Sequence, residues 1–275
     1  MDTNSIVQIL QSALDSWNKN LSSIMGLLTT SPANFNGGGI WGMMVDVNGA
    51  LQSIAMGLLV LFFVADLSKQ LTSLTELKRP EVAVKAFVRY AVAQYLVTHG
   101  MELMTAIFSI AVGIISTVTR SIVGADGLTV PAELVQKINA VDFLGFTTLW
   151  PVALLLSVGI QVCAIIILIT VYSRFFKLFM YTALSPIAMS AFAGQGTSRH
   201  AMSFLKSYAG VCLEGVIIAI GCIVYTAFAT APVLDPTADA LAMIWKYVTG
   251  VGINMIILIA SIKGADVIIS KMTGL

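Results

Sequence analysis

Residues 147–172 read TTLWPVALLLSVGIQVCAIIILITVY and contain no charged side chain. About 20 consecutive apolar residues cross the hydrocarbon core of a bilayer, so this segment is long enough to span a membrane. The whole chain has the same character, since 57% of its 275 residues are hydrophobic, 11% are charged and the mean hydropathy is +0.91. An ordinary soluble domain is about 25% charged. The composition therefore predicts an all-α, polytopic helical membrane protein.

Four more segments have the length and the apolar composition of a membrane span. They lie at about 47–66, 90–119, 208–232 and 241–262. Basic residues concentrate on the cytoplasmic side of membrane proteins. With five spans, eleven of the 15 Lys and Arg residues fall on one side: Lys69, Lys78, Arg79, Lys85, Arg89, Arg174, Lys177, Arg199, Lys206, Lys263 and Lys271. This distribution predicts five spans, with the N-terminus outside and the C-terminus in the cytoplasm.

Residues 1–40 differ from the spans in having a regular polar face. Apolar side chains recur at steps of three or four, at Ile6, Leu10, Leu14, Trp17, Leu21, Ile24 and Leu28. This period predicts an amphipathic helix on the outer side, followed by a glycine-rich loop that includes residues 34–39. The helix could lie in the membrane interface or pack against a partner, and the pattern fits both. Residues 41–275 are predicted to form the membrane domain.

Residues 178–194, LFMYTALSPIAMSAFAG, are apolar but short, and Ser185 and Pro186 lie near their middle. Proline lacks a backbone donor and disfavours helix at the residue before it. Basic residues flank the segment on both sides, so a full crossing would leave one pair outside. We therefore predict a broken or re-entrant segment that is buried against other helices.

Ionisable residues inside apolar spans are costly and usually face a bundle interior or a wet cavity. His99, Glu102 and Glu214 are therefore candidates either for a polar conduit or for hydrogen bonds between helices. The basic residues near the predicted inner surface are candidates for contact with a cytoplasmic partner or with lipid headgroups. These are Lys85, Arg89, Arg174, Lys177 and Lys206.

The sequence lacks the common catalytic motifs. It contains no GxxxxGK[ST] phosphate loop, no HExxH zinc motif and no GxSxG nucleophile elbow. Its three cysteines and two histidines have no metal-ligand spacing. We therefore predict that the protein is not an enzyme and has no cofactor or metal.

Four stretches carry a resemblance to a known family. They are VYSRFFKLFMYTALSPIAMSAFAG (171–194), SFLKSYAGVCLEG (203–215), LIASIKGADVIISKM (258–272) and AVKAFVRYAVAQYLVTHGMELM (83–104). Together they resemble the TrbL family of polytopic inner-membrane subunits of type IV secretion and conjugation machines, over roughly residues 80–272. The resemblance implies a channel or scaffold subunit in the cytoplasmic membrane of a bacterium.

The same resemblance implies partners and a source of energy. The subunit would form a homo-oligomer in the lipid bilayer, associate with other secretion subunits including cytoplasmic ATPases, and help to pass DNA or protein. Two alternatives stay open from the residues alone. One is a small-molecule or ion transporter that uses Glu102, His99 and Glu214, and the other is a membrane scaffold without a channel.

Overall fold

The computed structural model describes residues 4–71, 80–120, 128–141, 143–228 and 240–274. These residues form helices and turns without a strand. The helices are α1 (Asn4–Thr29), α2 (Gly39–Leu71), α3 (Pro80–Thr98), α4 (Gly100–Arg120), α5 (Ala132–Asn139), α6 (Phe143–Ser190), α7 (Ser198–Phe228), α8 (Ala240–Lys263) and α9 (Ala265–Thr273). Short 3-10 turns at Phe35–Gly38 and Ala191–Ala193 precede α2 and follow α6. The end of the predicted span 208–232, and the residues between it and α8, lie outside the described residues.

Five helical stretches of the described chain are long and apolar enough to cross a membrane. They are Phe35–Lys69, Gly100–Thr119, Gly145–Ala193, Ser198–Thr226 and Leu241–Met272. Large apolar side chains on them face outward, as Ile110 and Leu155 do with 67% and 72% of their surface exposed. Such exposure suits a lipid environment, where apolar side chains need no burial in protein. The prediction of a polytopic all-α membrane protein is confirmed.

The chain forms two compact units. The first unit comprises residues 1–29, 115–172 and 216–265, and the second comprises residues 30–114, 173–215 and 266–275. Each unit therefore draws on separate stretches of sequence, and residues 1–29 share a unit with parts of the membrane domain.

In the first unit, α1 buries its predicted apolar stripe in its own chain. Six of the seven predicted side chains are buried, all except Leu21. The Trp17 ring packs edge-on against Tyr225 of α7, with 5.8 Å between centroids. On its polar side, Asn18 donates to the Leu128 carbonyl at 2.8 Å and accepts from the Leu128 amide at 3.1 Å. The amphipathic helix is confirmed, and its contacts lie within this polypeptide.

The glycine-rich loop ends the first helical region as predicted. Asn36, Gly37 and Gly38 have φ angles of 50°, 73° and 80°. Side chains with a Cβ rarely adopt this left-handed conformation, whereas glycine adopts it without a steric penalty. The helix α2 begins directly after this loop, at Gly39.

The predicted span at about 90–119 is divided at His99, between α3 and α4, and its second part, Gly100–Thr119, is long and apolar enough to cross a membrane. The last turn of α3 has unpaired carbonyl groups, as every helix end does. The Gln52 side chain on α2 donates to two of them, at 3.1 Å to Val97 and 3.2 Å to Thr98. A side chain from another helix thus stabilises the end of α3, and α4 begins at Gly100.

The predicted break at Ser185 and Pro186 was wrong, because α6 continues through both residues to Ser190. Pro186 cannot donate to the carbonyl of Thr182, four residues earlier. That carbonyl instead accepts from Asn48 Nδ2 on α2 and from Ser185 Oγ, both at 2.8 Å. Because the orphaned acceptor is satisfied, the helix passes the proline and ends at the turn Ala191–Ala193.

Candidate functional site

The centre of the second unit is Arg174 on α6, whose side chain is completely buried. Its Nε donates to the Val211 carbonyl at 3.2 Å, and its Nη2 donates to the Cys212 carbonyl at 3.3 Å. The guanidinium carbon lies 5.6 Å from the centroid of the Phe108 ring on α4, within the range of a cation–π contact. A buried cation needs such partners because it has lost its water. Arg174 therefore connects α6 to α7 and α4.

Gly215 on α7 makes room for this guanidinium. A Cβ added at position 215 would overlap the guanidinium carbon and both of its terminal nitrogens. Neither the carbon nor the nitrogens can shift far, because the side chain is held by two backbone carbonyls. The absence of a side chain at position 215 is thus part of the Arg174 site.

Lys177 lies one helical turn after Arg174 and binds two carboxylates. Its Nζ donates to Glu214 Oε2 on α7 at 3.4 Å, and to Asp266 Oδ1 on α9 at 3.1 Å. Glu214 is 2% exposed, whereas the Asp266 side chain is 62% exposed. A single ammonium group therefore ties three helices together. We call Arg174, Lys177, Glu214 and Asp266 the ion cluster.

The ion cluster contains two cations and two carboxylates, so its formal charge is balanced. Its side chains form hydrogen bonds that join α6 to α7 and α9. Within the described residues, no group of three or more His, Cys, Asp and Glu side chains could hold a metal ion. The arrangement can hold α6, α7 and α9 together inside the second unit. Loss of the charge on Lys177 would remove the hydrogen bonds by which Lys177 joins these helices.

His99 and Glu102 are not members of the ion cluster. The His99 ring stacks on Tyr95, with 4.2 Å between centroids, and its Nδ1 is 2.9 Å from Thr98 Oγ1. Glu102 is exposed at the start of α4. Among the described residues, no hydrogen bond or ion pair joins His99, Glu102 and Glu214. The structure does not bring the three conduit candidates together.

The basic candidates have different environments. Arg174 is buried, so the expectation that it contacts lipid or a cytoplasmic partner was wrong. Lys177 is one third exposed and is held by the ion cluster. Arg89 on α3 forms an ion pair of 2.9 Å with Asp66 on α2. Lys85 and Lys206 are exposed.

A comparison of the sequence with family models finds one that matches it. The model described as TrbL/VirB6 plasmid conjugal transfer like protein matches residues 17–186, more than half of the chain. The chain belongs to the TrbL/VirB6 family. No curated protein matches it, and no solved structure matches it.

The TrbL/VirB6 match confirms the family expected from the sequence and shifts its extent. It begins at residue 17 in α1 and ends at Pro186 in α6, whereas the resemblance was placed at roughly 80–272. The matched region contains Arg174 and Lys177, but their carboxylate partners Glu214 and Asp266 follow it. Membership implies a multi-pass bacterial membrane protein of conjugal transfer or type IV secretion systems.

The site residues predicted from the sequence of the TrbL/VirB6 chain included three members of the ion cluster and not the fourth, Asp266. They also did not include Asn48 or Phe108. One signal was available for Asn48, because a proline inside a helix leaves the carbonyl four residues earlier in need of a donor. The other signal was Glu214, a lone carboxylate in an apolar span that required a cation.

Proposed function

We propose that this chain is a channel or scaffold subunit of a conjugative type IV secretion machine, and that it helps DNA or protein to cross the cytoplasmic membrane. The observation that carries the proposal is the family match over residues 17–186, together with five apolar helical stretches. The proposed role is structural. Separate cytoplasmic ATPases would supply the energy, and the remaining partners would be other secretion subunits and further copies of this chain.

The proposed orientation has the N-terminus outside and the C-terminus in the cytoplasm. Support comes from the basic residues. Of the eleven Lys and Arg assigned to the inner side, all except Lys263 belong to the sequence stretches of the second unit. Basic residues are retained on the cytoplasmic side during insertion. Cysteine accessibility at positions 19 and 206, probed from outside intact cells, tests this orientation, and we expect labelling at position 19 alone.

Conjugative transfer from a donor that lacks the gene tests the main proposal. We expect transfer to fall to background, and to recover when the intact chain is supplied in trans. A second deletion donor is supplied with the Gly215→Ala variant, and the amount of this variant in the membrane is measured in parallel. This measurement distinguishes a loss of transfer caused by a non-functional protein from one caused by a lower amount of protein. Unchanged transfer in the deletion donor would overturn the proposal.

The placement of the conduit candidates does not favour the transporter alternative. Glu214 is bound by Lys177, and within the described residues neither Glu102 nor His99 forms a hydrogen bond or an ion pair with it. A flux assay in liposomes distinguishes the two functions. We expect no flux of small ions from the purified chain, and flux that Glu102→Gln abolishes would support the transporter instead.

A homo-oligomer is part of the proposal. Apolar side chains exposed on the isolated chain, including Leu155 and Ile110, would be covered by lipid or by neighbouring copies. Counting photobleaching steps of a fluorescently tagged chain in native membranes measures the copy number. We expect several steps per spot, and single steps throughout would contradict the homo-oligomer.

A further inference from the structure

A groove in the second unit is lined by basic residues at the start of α7. Arg199, Ser203 and Lys206 are spaced four and three positions apart, so they share one face of the helix. With His200 and Phe192 they line a polar groove of about 800 Å³. We call this surface the basic groove.

Within the part of the chain that the structure describes, no carboxylate pairs with Arg199 or Lys206 of the basic groove. The sequence contains no Asp or Glu from residue 143 to residue 213. The next carboxylate, Glu214, is occupied by Lys177. Within the described residues, Arg199 and Lys206 form neither an ion pair nor a side-chain hydrogen bond. The groove therefore presents unpaired positive charge to its surroundings.

An apolar groove adjoins the basic groove at Phe192, which lines both. Its other apolar residues are Val84, Val88 and Val92, spaced by one helical turn on α3, and its volume is about 390 Å³. Lys85 and Arg89 lie along it. Arg89 is paired with Asp66, whereas Lys85 has no ion pair within the described part of the chain.

The α3 helix has the properties of a helix that lies along a membrane surface. It is not among the five stretches that could span a membrane. Even so, Val84 and Val88 are 60% and 57% exposed. A helix that pairs an exposed apolar face with Lys and Arg settles at the boundary between headgroups and acyl chains.

We propose that the two grooves form one binding site for an anionic phospholipid. The headgroup phosphate lies near Phe192, between Lys85 on one side and Arg199 and Lys206 on the other. An acyl chain follows the valines of α3. Clusters of Lys and Arg next to membrane helices attract anionic lipids in this way. The proposal does not depend on a role in conjugation.

The apolar groove decides between a lipid and other phosphate-bearing ligands. Inorganic phosphate would gain nothing from a row of valines. A single-stranded nucleic acid binds through aromatic side chains on which its bases stack, and this groove offers one phenylalanine beside three valines. Charge and apolar surface side by side match the two ends of a phospholipid.

Native mass spectrometry of the full chain in nonionic detergent tests the site, with phosphatidylglycerol and phosphatidylcholine added separately. We expect preferential retention of phosphatidylglycerol. Each lost charge should weaken retention about fivefold, so Lys85→Gln with Lys206→Gln should weaken it about 25-fold. Lys246→Gln on α8, which removes an exposed charge from the first unit, is the matched control and should change nothing. Equal retention of the two lipids, or an equal loss in the control, would overturn the proposal.

Two further experiments, one with a substituted acyl-chain groove and one with competing ligands, identify the class of ligand. Val88→Asn should weaken retention of phosphatidylglycerol because it makes the acyl-chain groove polar, and an unchanged affinity would overturn the lipid assignment. Inorganic phosphate and a single-stranded oligonucleotide are added as competitors, and neither should displace the lipid. Displacement by the first would indicate a simple phosphate site, and displacement by the second a nucleic-acid surface. Unchanged melting midpoints would show that all variants are folded.

Discussion

The side-chain amide of Asn48 donates a 2.8 Å hydrogen bond to the carbonyl of Thr182, the carbonyl that Pro186 leaves without a helical donor. The two residues are 134 positions apart in sequence. Asn48 is 6% exposed and also donates to Ser185 Oγ at 3.1 Å. A polar side chain on α2 therefore compensates for a missing backbone group on α6, and the contact fixes the two helices of the second unit against each other.

Replacing Asn48 with alanine should destabilise the protein by about 0.5–1.5 kcal/mol, the net contribution of a typical hydrogen bond, because Ser185 Oγ still donates to the Thr182 carbonyl. The cost should fall in a Pro186→Ala background, where the residue at position 186 supplies its own N–H to Thr182. Thermal unfolding of the four members of this double-mutant cycle in detergent measures the coupling. Additive effects would show that Asn48 does not act through the carbonyl that Pro186 leaves free.

Gly215→Ala should destabilise the protein by about 1–3 kcal/mol, because the new methyl group would overlap the buried Arg174 guanidinium. Gly221 lies on the same helix and has nothing within 4 Å of an added Cβ, which makes it the matched control. Gly221→Ala should stabilise α7 by about 0.5–1 kcal/mol, the helix preference of alanine over glycine. Unfolding midpoints that shift in the same direction for both variants would contradict this account.

Lys177→Met should be more damaging than the loss of either carboxylate, because it leaves the buried Glu214 carboxylate without the cation that donates a hydrogen bond to it. Breaking a fully buried ion pair costs about 3–5 kcal/mol. We expect about 2–3 kcal/mol here because Lys177 is one third exposed. Adding Glu214→Gln to Lys177→Met should recover part of the loss.

Asp266→Asn is the control for the Lys177 experiment. The Asp266 side chain is largely exposed, and exposed ion pairs contribute at most about 1 kcal/mol. Chemical denaturation monitored by tryptophan fluorescence measures the free energy of unfolding. It can rank the unsubstituted chain, Lys177→Met, Lys177→Met with Glu214→Gln, and Asp266→Asn. The ranking would be contradicted if Asp266→Asn matched Lys177→Met.

Trp17→Ala should destabilise the first unit by about 3–5 kcal/mol, the cost of removing a buried tryptophan side chain. Trp17 is 1% exposed and packs against Tyr225. Ser22, an exposed residue on α1, is the control, and Ser22→Ala should change stability by less than about 0.5 kcal/mol. Limited proteolysis followed over time measures the opening of α1, and equal cleavage rates for both variants would contradict packing of α1 within this chain.

Periodicity and hydropathy predicted most of the helical framework. Both depend on local sequence, as in the stripe from Ile6 to Leu28 and the uncharged stretch 147–172. The loop at Asn36–Gly38 was equally predictable, because positive φ angles have a strong local preference for glycine and asparagine.

Contacts between distant segments account for what the sequence did not predict. The end of α3 depends on Gln52, and the continuity of α6 depends on Asn48. In both cases a side chain that is distant in sequence donates a hydrogen bond to a backbone carbonyl group. A pattern of neighbouring residues cannot predict such a contact. For Glu214, the sequence left an interhelical bond and a conduit equally open, and only the position of Lys177 identified its partner.

The Arg174 side chain donates its hydrogen bonds to main-chain carbonyl groups of α7 and not to side chains. This has a consequence for which substitutions the contact tolerates during evolution. A carbonyl is present whatever amino acid occupies positions 211 and 212, so those two hydrogen bonds survive any substitution there that keeps the helix and its packing. The two positions that constrain each other are 174 and 215. An arginine at position 174 requires a glycine at position 215, because a larger side chain there would overlap the guanidinium. We therefore expect substitutions to be tolerated at positions 211 and 212, whereas Arg174 and Gly215 should be retained together.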